Sequence, residues 1–141
     1  MNTTQIVVLA IIKNDENKIL LTKRYDPEFK EVHNKWQIPG GGLEFGELPE
    51  NTAKREALEE VGIPIKIIKL VPFFETKIDH NWQGIFISYL CEGLSDEIVI
   101  NDEATEYGWF SIDQINQMEQ DNTILPKTIP IIRQIEFDLQ S

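Results

Sequence analysis

Three glutamates, Glu56, Glu59 and Glu60, crowd one short segment of this sequence, inside a run from Gly40 to Ile63 that holds six glutamates and five glycines. Carboxylates ligate hard divalent cations and accept protons from water, so the cluster raises metal-assisted or general-base chemistry. Without a partner the arrangement is costly. On a helix successive side chains turn by about 100°, which sets the three carboxylates over an arc of about 100° beside a small apolar stripe of Ala53, Ala57 and Val61. Like charges three and four residues apart destabilise an isolated helix by about 0.2–0.5 kcal/mol per pair. Carboxylates in the last turn oppose the macrodipole by about 0.3–1 kcal/mol each, and Glu60, at the edge of the buried face, is desolvated as well. A solvated acidic face is the ordinary explanation of such a cluster. A hard divalent cation would instead turn all three costs into attractions, and both readings stand on position alone. Ligation by oxygen, without Cys or His, favours Mg²⁺ or Mn²⁺ over Zn²⁺.

The elements that must position these residues are legible around them. Pro49 can open the helix at its first position and Gly62 can close it. Upstream, WQIPGGG breaks a short strand with Pro39 and three glycines. Gln5 to Ile12 is β-branched and continuously apolar, as expected for a strand covered on both faces. Asn14 to Asn17 supplies a turn before KILLTKR, so these two runs are expected to form a hairpin. The polar stretch from Tyr25 to Lys35 reads as a surface loop that could form a rim or lid. Further on, IKIIKLVPFFETKI and GIFISYLCEG have strand chemistry, the second with Ile85, Ile87 and Tyr89 on one face and Phe86 and Leu90 on the other. EIVI and YGWF read as further short strands, Ile112 to Met118 as a short helix, and Ile131, Ile132, Ile135 and Leu139 recur at helical spacing after Pro126. Strands interleaved with helices predict an α/β layered domain with a mixed sheet between helices.

The 141 residues and 16.3 kDa are the size of one domain, expected to span 1–141, and the 41% hydrophobic composition is that of a globular chain. The net charge of −11 opposes a sequence-independent grip on a nucleic-acid polymer, which is held through Lys and Arg. An anionic small substrate stays open, because a bound divalent ion reverses the local field. The single Cys91 allows no intrachain disulfide and reads as a buried thiol in an apolar run. With no basic, cleavable leader and no apolar run long enough to span a bilayer, the expectation is a cytoplasmic protein without a membrane partner.

The spacing within the glutamate segment then becomes informative. Gly41, five residues to Glu47, seven to Arg55 and Glu56, then Ala57, Glu59, Glu60, Gly62 and Ile63 reproduce every position of the Nudix box, and the segment resembles the signature of Nudix hydrolases. The box covers 23 of 141 residues, and the strand-rich flanks are similar in outline to that family's α/β/α sandwich with a mixed central β-sheet. The resemblance implies a divalent-metal-dependent hydrolase of a nucleoside diphosphate linked to another group. It implies metal binding by Glu56, Glu59 and Glu60, with the carbonyl of Gly40 as a further ligand, and pairing of Glu47 with Arg55 to brace the loop against the helix, with phosphate contact as an alternative for Arg55. The proton acceptor comes from the box in some members and from a later loop in others. Here the candidates are Glu59 and Glu103, with Glu106 as a rival in NDEATEYGWF. Members are often homodimers, so a homodimer is one expectation.

Substrate choice lies outside the box. Tyr25, Trp36, Phe73, Phe74 and Trp82 could stack on a base, although aromatics in strands more often pack; Trp36 is expected to pack, and Trp82, in a polar stretch, is the best stacking candidate. Arg24 is a candidate phosphate contact, whereas Lys23 reads as a strand-end solubility charge. His33 and His80 receive no role. The compact length suggests a nucleoside triphosphate cleaved to monophosphate and pyrophosphate. A dinucleoside polyphosphate or nucleotide sugar is the alternative substrate, and a non-catalytic nucleotide-binding module the alternative class.

Overall fold

A computed structural model describes residues 1–139. Its sheet is built from β1 (Thr3–Lys13), β2 (Ile19–Arg24), β3 (Trp36–Gln37), β4 (Gly40–Gly42), β5 (Ile65–Asp79), β6 (Trp82–Gly93) and β7 (Ala104–Phe110). The helices are α1 (Pro49–Val61), α2 (Ile112–Gln120) and α3 (Thr128–Arg133), followed by a 3₁₀ turn at Glu136–Leu139. The strand order is β3-β2-β1-β6-β5, with β4 also pairing β1 and β7 also pairing β2. β1 runs parallel to β6 along its whole length, from Thr3↔Trp82 to Lys13↔Glu92, and the remaining pairings are antiparallel. The sheet is thus mixed, as expected.

Alternation along the strands divides the core in two. Val8, Ala10 and Ile12 of β1, with Tyr89 and Cys91 of β6, pack against Ala53, Ala57 and Val61 of α1. Ile11, Leu90, Ile19 and Leu21 face Ile115 of α2 and Ile129, Ile131 and Ile132 of α3. β1 is apolar throughout its centre because both its faces are covered. The result is the expected helix–sheet–helix sandwich.

Two local expectations are corrected and one is narrowed. β1 and β2 form the expected antiparallel hairpin, with a short pairing at Lys13↔Ile19. β2 diverges to pair with β7 and β3, and β4 occupies the vacated edge of β1 through Val7↔Gly42, Val8↔Gly41 and Leu9↔Gly40. EIVI is not a strand: residues 97–100 carry no ladder and instead cap α1, Val99 N–H donating to the Val61 carbonyl at 3.0 Å. The last helical segment is interrupted, with α3 ending at Arg133 before the 3₁₀ turn. Elsewhere the expectations match. α1 begins at Pro49 and ends at Gly62, which has φ +73°, the left-handed conformation that closes a helix. Ser111 caps α2 through a reciprocal pair with Gln114, which fixes its start. Pro72, which cannot donate to a ladder, lies where the register of edge strand β5 shifts between Leu70 and Phe74. No helix among the described residues is long and apolar enough to cross a membrane.

Candidate functional site

The glutamate helix is held by a short lever of charge-assisted bonds. Arg55 Nε donates to Glu47 Oε2 at 2.8 Å and Nη2 to Glu47 Oε1 at 3.0 Å, a two-point grip that joins the loop before α1 to its middle. Nη2 also reaches the Gly42 carbonyl at 3.1 Å, and Nη1 donates to Glu56 Oε1 at 2.8 Å. Thr52 Oγ1 donates to Glu47 Oε1 at 2.7 Å. The Arg55 and Thr52 bonds hold the Glu47 carboxyl down at about 2. Loop, β4 and α1 are thereby locked in one frame.

A glycine of β4 makes room for a helix carboxylate. A β-carbon on Gly41 would meet the Glu56 carboxylate, so glycine leaves that carboxylate its present position against the strand. Pro39 O accepts from Ala10 and Leu43 donates to Ile6, so strand alternation turns the Gly40 and Gly42 peptide groups away from β1. Gly40 N–H accordingly donates to Glu60 Oε2 at 2.8 Å, and the Gly40 carbonyl faces the same side. The backbone itself thus offers one donor and one acceptor beside the carboxylates.

Glu60 and Glu103 are drawn together by a second set of bonds. Asn101 N–H donates to the Glu60 carbonyl at 3.3 Å and Tyr25 N–H to the Glu103 carbonyl at 2.8 Å, so residues 99–103 are tied to the end of α1 and to the end of β2. Within this loop Asn101 Nδ2 donates to Glu103 Oε2 at 3.3 Å. The Glu103 carboxyl lies within hydrogen-bonding reach of Glu60, with Glu56 adjacent. Burial, together with the Glu56 and Glu103 charges, pushes the Glu60 carboxyl up to about 8 against the opposing Gly40 bond, and burial likewise raises Glu56. Glu56 and Glu60 are thus only partly open to solvent, while Glu103 beside Glu60 is exposed.

The other sequence candidates fall in different places. Glu59 is 55% exposed and lies 3.3 Å from Arg55, next to Glu56 but outside the pocket lining. Glu106 pairs with Lys23 at 3.2 Å on the surface strand β7. Arg24 lines the pocket while its guanidinium grips Asp26, with Nη2 at 2.8 Å and Nε at 3.2 Å. Trp82 also lines the pocket and donates from Nε1 to Gln5 Oε1 at 3.2 Å. Trp36 packs edge-on against Phe110, as expected of a packing residue. Of the remaining aromatics, Phe73 packs against the core and Phe74 is exposed. His33 Nδ1 accepts from Asp26 N–H, and Cys91 is buried with its thiol pushed up to about 12 by burial.

The pocket that contains Glu60 and Glu103 has a volume of about 840 Å³. It runs from Gly40 across Val7 and Leu9 of β1 to Phe86 and Lys77, with Lys127 above and Tyr25 and Val32 on the rim. The 25–35 segment therefore does form a rim. Phe86, Lys77 and Lys127 are not marked as site residues by the sequence, since strand aromatics and surface lysines carry no local mark. Strand register brings Phe86 and Lys77 together, and the chain's path into α3 adds Lys127.

The donor set suits a hard divalent cation in its chemistry: only oxygen ligands, a repelling Glu60–Glu103 contact and an inward-facing Gly40 carbonyl. Among the described residues no three such side chains already surround one point. Drawing Glu56 in requires it to yield its bond to Arg55 Nη1.

Comparison with known proteins places this geometry. A NUDIX domain family model matches residues 3–130. The nucleoside triphosphatase NudI of Escherichia fergusonii is 29% identical over 135 residues, covering 89% of this chain and 94% of the relative. Among solved structures, a MutT protein from Methanosarcina mazei superposes with a TM-score of 0.80 at 23% identity, covering 99% of this chain and 98% of the other. A MutT NUDIX hydrolase from Burkholderia pseudomallei gives 0.77 at 27% identity over 95% and 99% of the two chains.

Proposed function

The chain belongs to the Nudix hydrolases, and from that premise we propose that it cleaves a nucleoside triphosphate to the monophosphate and pyrophosphate, with Mg²⁺ or Mn²⁺ held by Glu56, Glu60 and the Gly40 carbonyl. The observation that carries this reading is the approach of Glu103 to Glu60 at one end of a pocket large enough for a nucleotide, with the Glu56 charge beside them. The name of NudI, a nucleoside triphosphatase, supports a nucleotide substrate. A divalent ion in this site supplies neutral ground for the pyrophosphate oxygens and a lower pKa for attacking water.

The chain's own residues do the rest. Glu103 takes the proton from water, because it faces Glu60 inside the pocket on a loop anchored to α1, whereas Glu59 points outward beside Arg55. Glu47 and Arg55 keep α1 in register with β4, so that Glu56 and Glu60 meet the Gly40 carbonyl. The Glu59 charge opposes ionisation of its neighbour Glu56, a repulsion that a bound cation would relieve. Arg24 contributes positive charge to the pocket wall and meets phosphate by releasing Asp26.

The test is a panel of ribo- and deoxyribonucleoside triphosphates, nucleotide sugars and dinucleoside polyphosphates, assayed with Mg²⁺ and with Mn²⁺ and with product identification. Metal-dependent appearance of pyrophosphate and monophosphate is expected. Orthophosphate as the first product would move the cut to another bond. Silence across the whole panel with both metals would sink the reading.

A further inference from the structure

The pocket has a second end that the hydrolytic chemistry does not use. Gly84 lies between Trp82 and Phe86 on one face of β6, and a β-carbon there would strike the Trp82 ring and stand 3.0 Å from Phe86 Cε2. Glycine thus lets the two rings meet edge to face, 6.3 Å apart at 75°, as a continuous aromatic floor. Val7, paired with Phe86 across β1 and β6, extends that floor toward the carboxylates. Gly40 sits on β4, two strand steps from β6, so the floor begins about 10 Å from the carboxylate end. That spacing suits the reach of a nucleotide from its phosphate to its base.

Lys127 occupies the face of this floor. Its Nζ lies 4.1 Å from the Phe86 ring centroid, with Lys77 and Arg24 also lining the pocket and the Glu75 carboxylate facing it from β5. Resting on the proposed nucleotide hydrolysis, we propose that Lys127 and the Trp82–Phe86 floor form a base subsite that selects rings carrying a keto oxygen over matched rings carrying an amino group. A base and an ammonium cannot share one face of Phe86. A stacking base therefore displaces Nζ to the base edge, where the ammonium offers three donors and no acceptor. A ring carbonyl accepts one of them, whereas an exocyclic amine presents donor to donor. Around Lys127, Lys77 and Arg24 oppose its charge and Glu75 favours it, with Arg24 itself paired to Asp26. Burial, reinforced by Lys77, lowers the Lys127 ammonium to about 8, the mark of a poorly solvated cation that gains from a new acceptor.

Matched pairs isolate this contact, since UTP and CTP, or ITP and ATP, exchange a keto for an amino group on one ring position and the adjacent ring proton. Values of kcat/KM for the two pairs are measured on the wild type, Lys127→Met and Lys127→Arg, alongside calorimetric binding of UMP and CMP. The wild type is expected to favour the keto member by about 10- to 100-fold, the range of one charge-assisted hydrogen bond. Lys127→Met should bring the ratio to near unity, and Lys127→Arg should retain a preference. Equal use of both members by the wild type, or an equal loss for both in Lys127→Met, would overturn the proposal; the second outcome assigns Lys127 to phosphate. The monophosphate titration reads base preference without any bond cleavage, so failure of hydrolysis and failure of base selection are told apart.

Discussion

Replacing Glu60 by Gln removes one charge from the most crowded point of the site while keeping an oxygen that can accept the Gly40 N–H bond now made at 2.8 Å. The Glu60 carboxyl stands at about 8 rather than 4.5, chiefly through burial. At high pH that displacement corresponds to an unfavourable free energy of order 5 kcal/mol for the charged form, an upper bound because the side chain can relax toward solvent. The sign follows from proton linkage. Between pH 4.5 and about 8 the folded state holds a proton that the unfolded chain has released, so this group costs progressively more stability as pH rises through that window. In metal-free protein, Glu60→Gln should therefore gain about 1 kcal/mol at pH 5.5 and about 2–4 kcal/mol at pH 9. Urea unfolding in EDTA, followed by midpoint and slope at both pH values, measures the difference. Mg²⁺ should raise the wild-type midpoint by mass action, and much less so the variant's, while turnover in the variant falls by orders of magnitude. A variant no more stable than wild type at pH 9, with an unchanged pH slope, would refute the reasoning that Glu60 is held charged against its surroundings.

Further outcomes follow from the same geometry. Glu103→Gln should lower kcat by about 10²–10⁴-fold with the fold intact, whereas Glu106→Gln, which loses only a surface pair with Lys23, should change kcat little; steady-state kinetics on the two variants decides between them. Gly62→Ala forces a β-carbon into a backbone with φ +73° and to 3.2 Å from Val99, so stability should fall by about 1–2 kcal/mol in thermal unfolding, and kcat should fall with it as residues 99–103 shift. The Glu47 carboxyl, held at about 2 by Arg55 and Thr52, contributes stability that is present above pH 4.5 and lost as pH falls toward 2; in Glu47→Gln the acid limb of a stability–pH curve should flatten.

The helix that carries the glutamates was legible because its signals are local. Pro49 and Gly62 act within a turn of the helix ends, and the Ala53–Ala57–Val61 stripe follows from helical period alone. The Ser111–Gln114 cap of α2 is equally local, although it emerged only with the structure. The shortness of the β1–β2 hairpin was not legible, for the opposite reason. A turn at Asn14–Asn17 dictates that two strands meet, but not for how long, and the edge of β1 went to β4, where a β-carbon on Gly40 would strike the Val8 carbonyl and Leu9 of β1. EIVI has the composition of a strand, yet the free carbonyls at the end of α1 recruited its backbone instead.

The order and spacing of residues 41–63 were enough to fix the helix, its carboxylates and the class of chemistry, since each depends on contacts a few residues apart. Which carboxylate joins Glu60 depended on a hydrogen bond between Asn101 and the end of α1, some 40 positions along the chain. Likewise, Phe86, Lys77 and Lys127 became one wall only through the pairing of β1 with β6 and β5 with β6, and through the path of the chain into α3. Long-range strand register is set by the burial of whole faces rather than by any short run, so it leaves no mark on the residues it brings together.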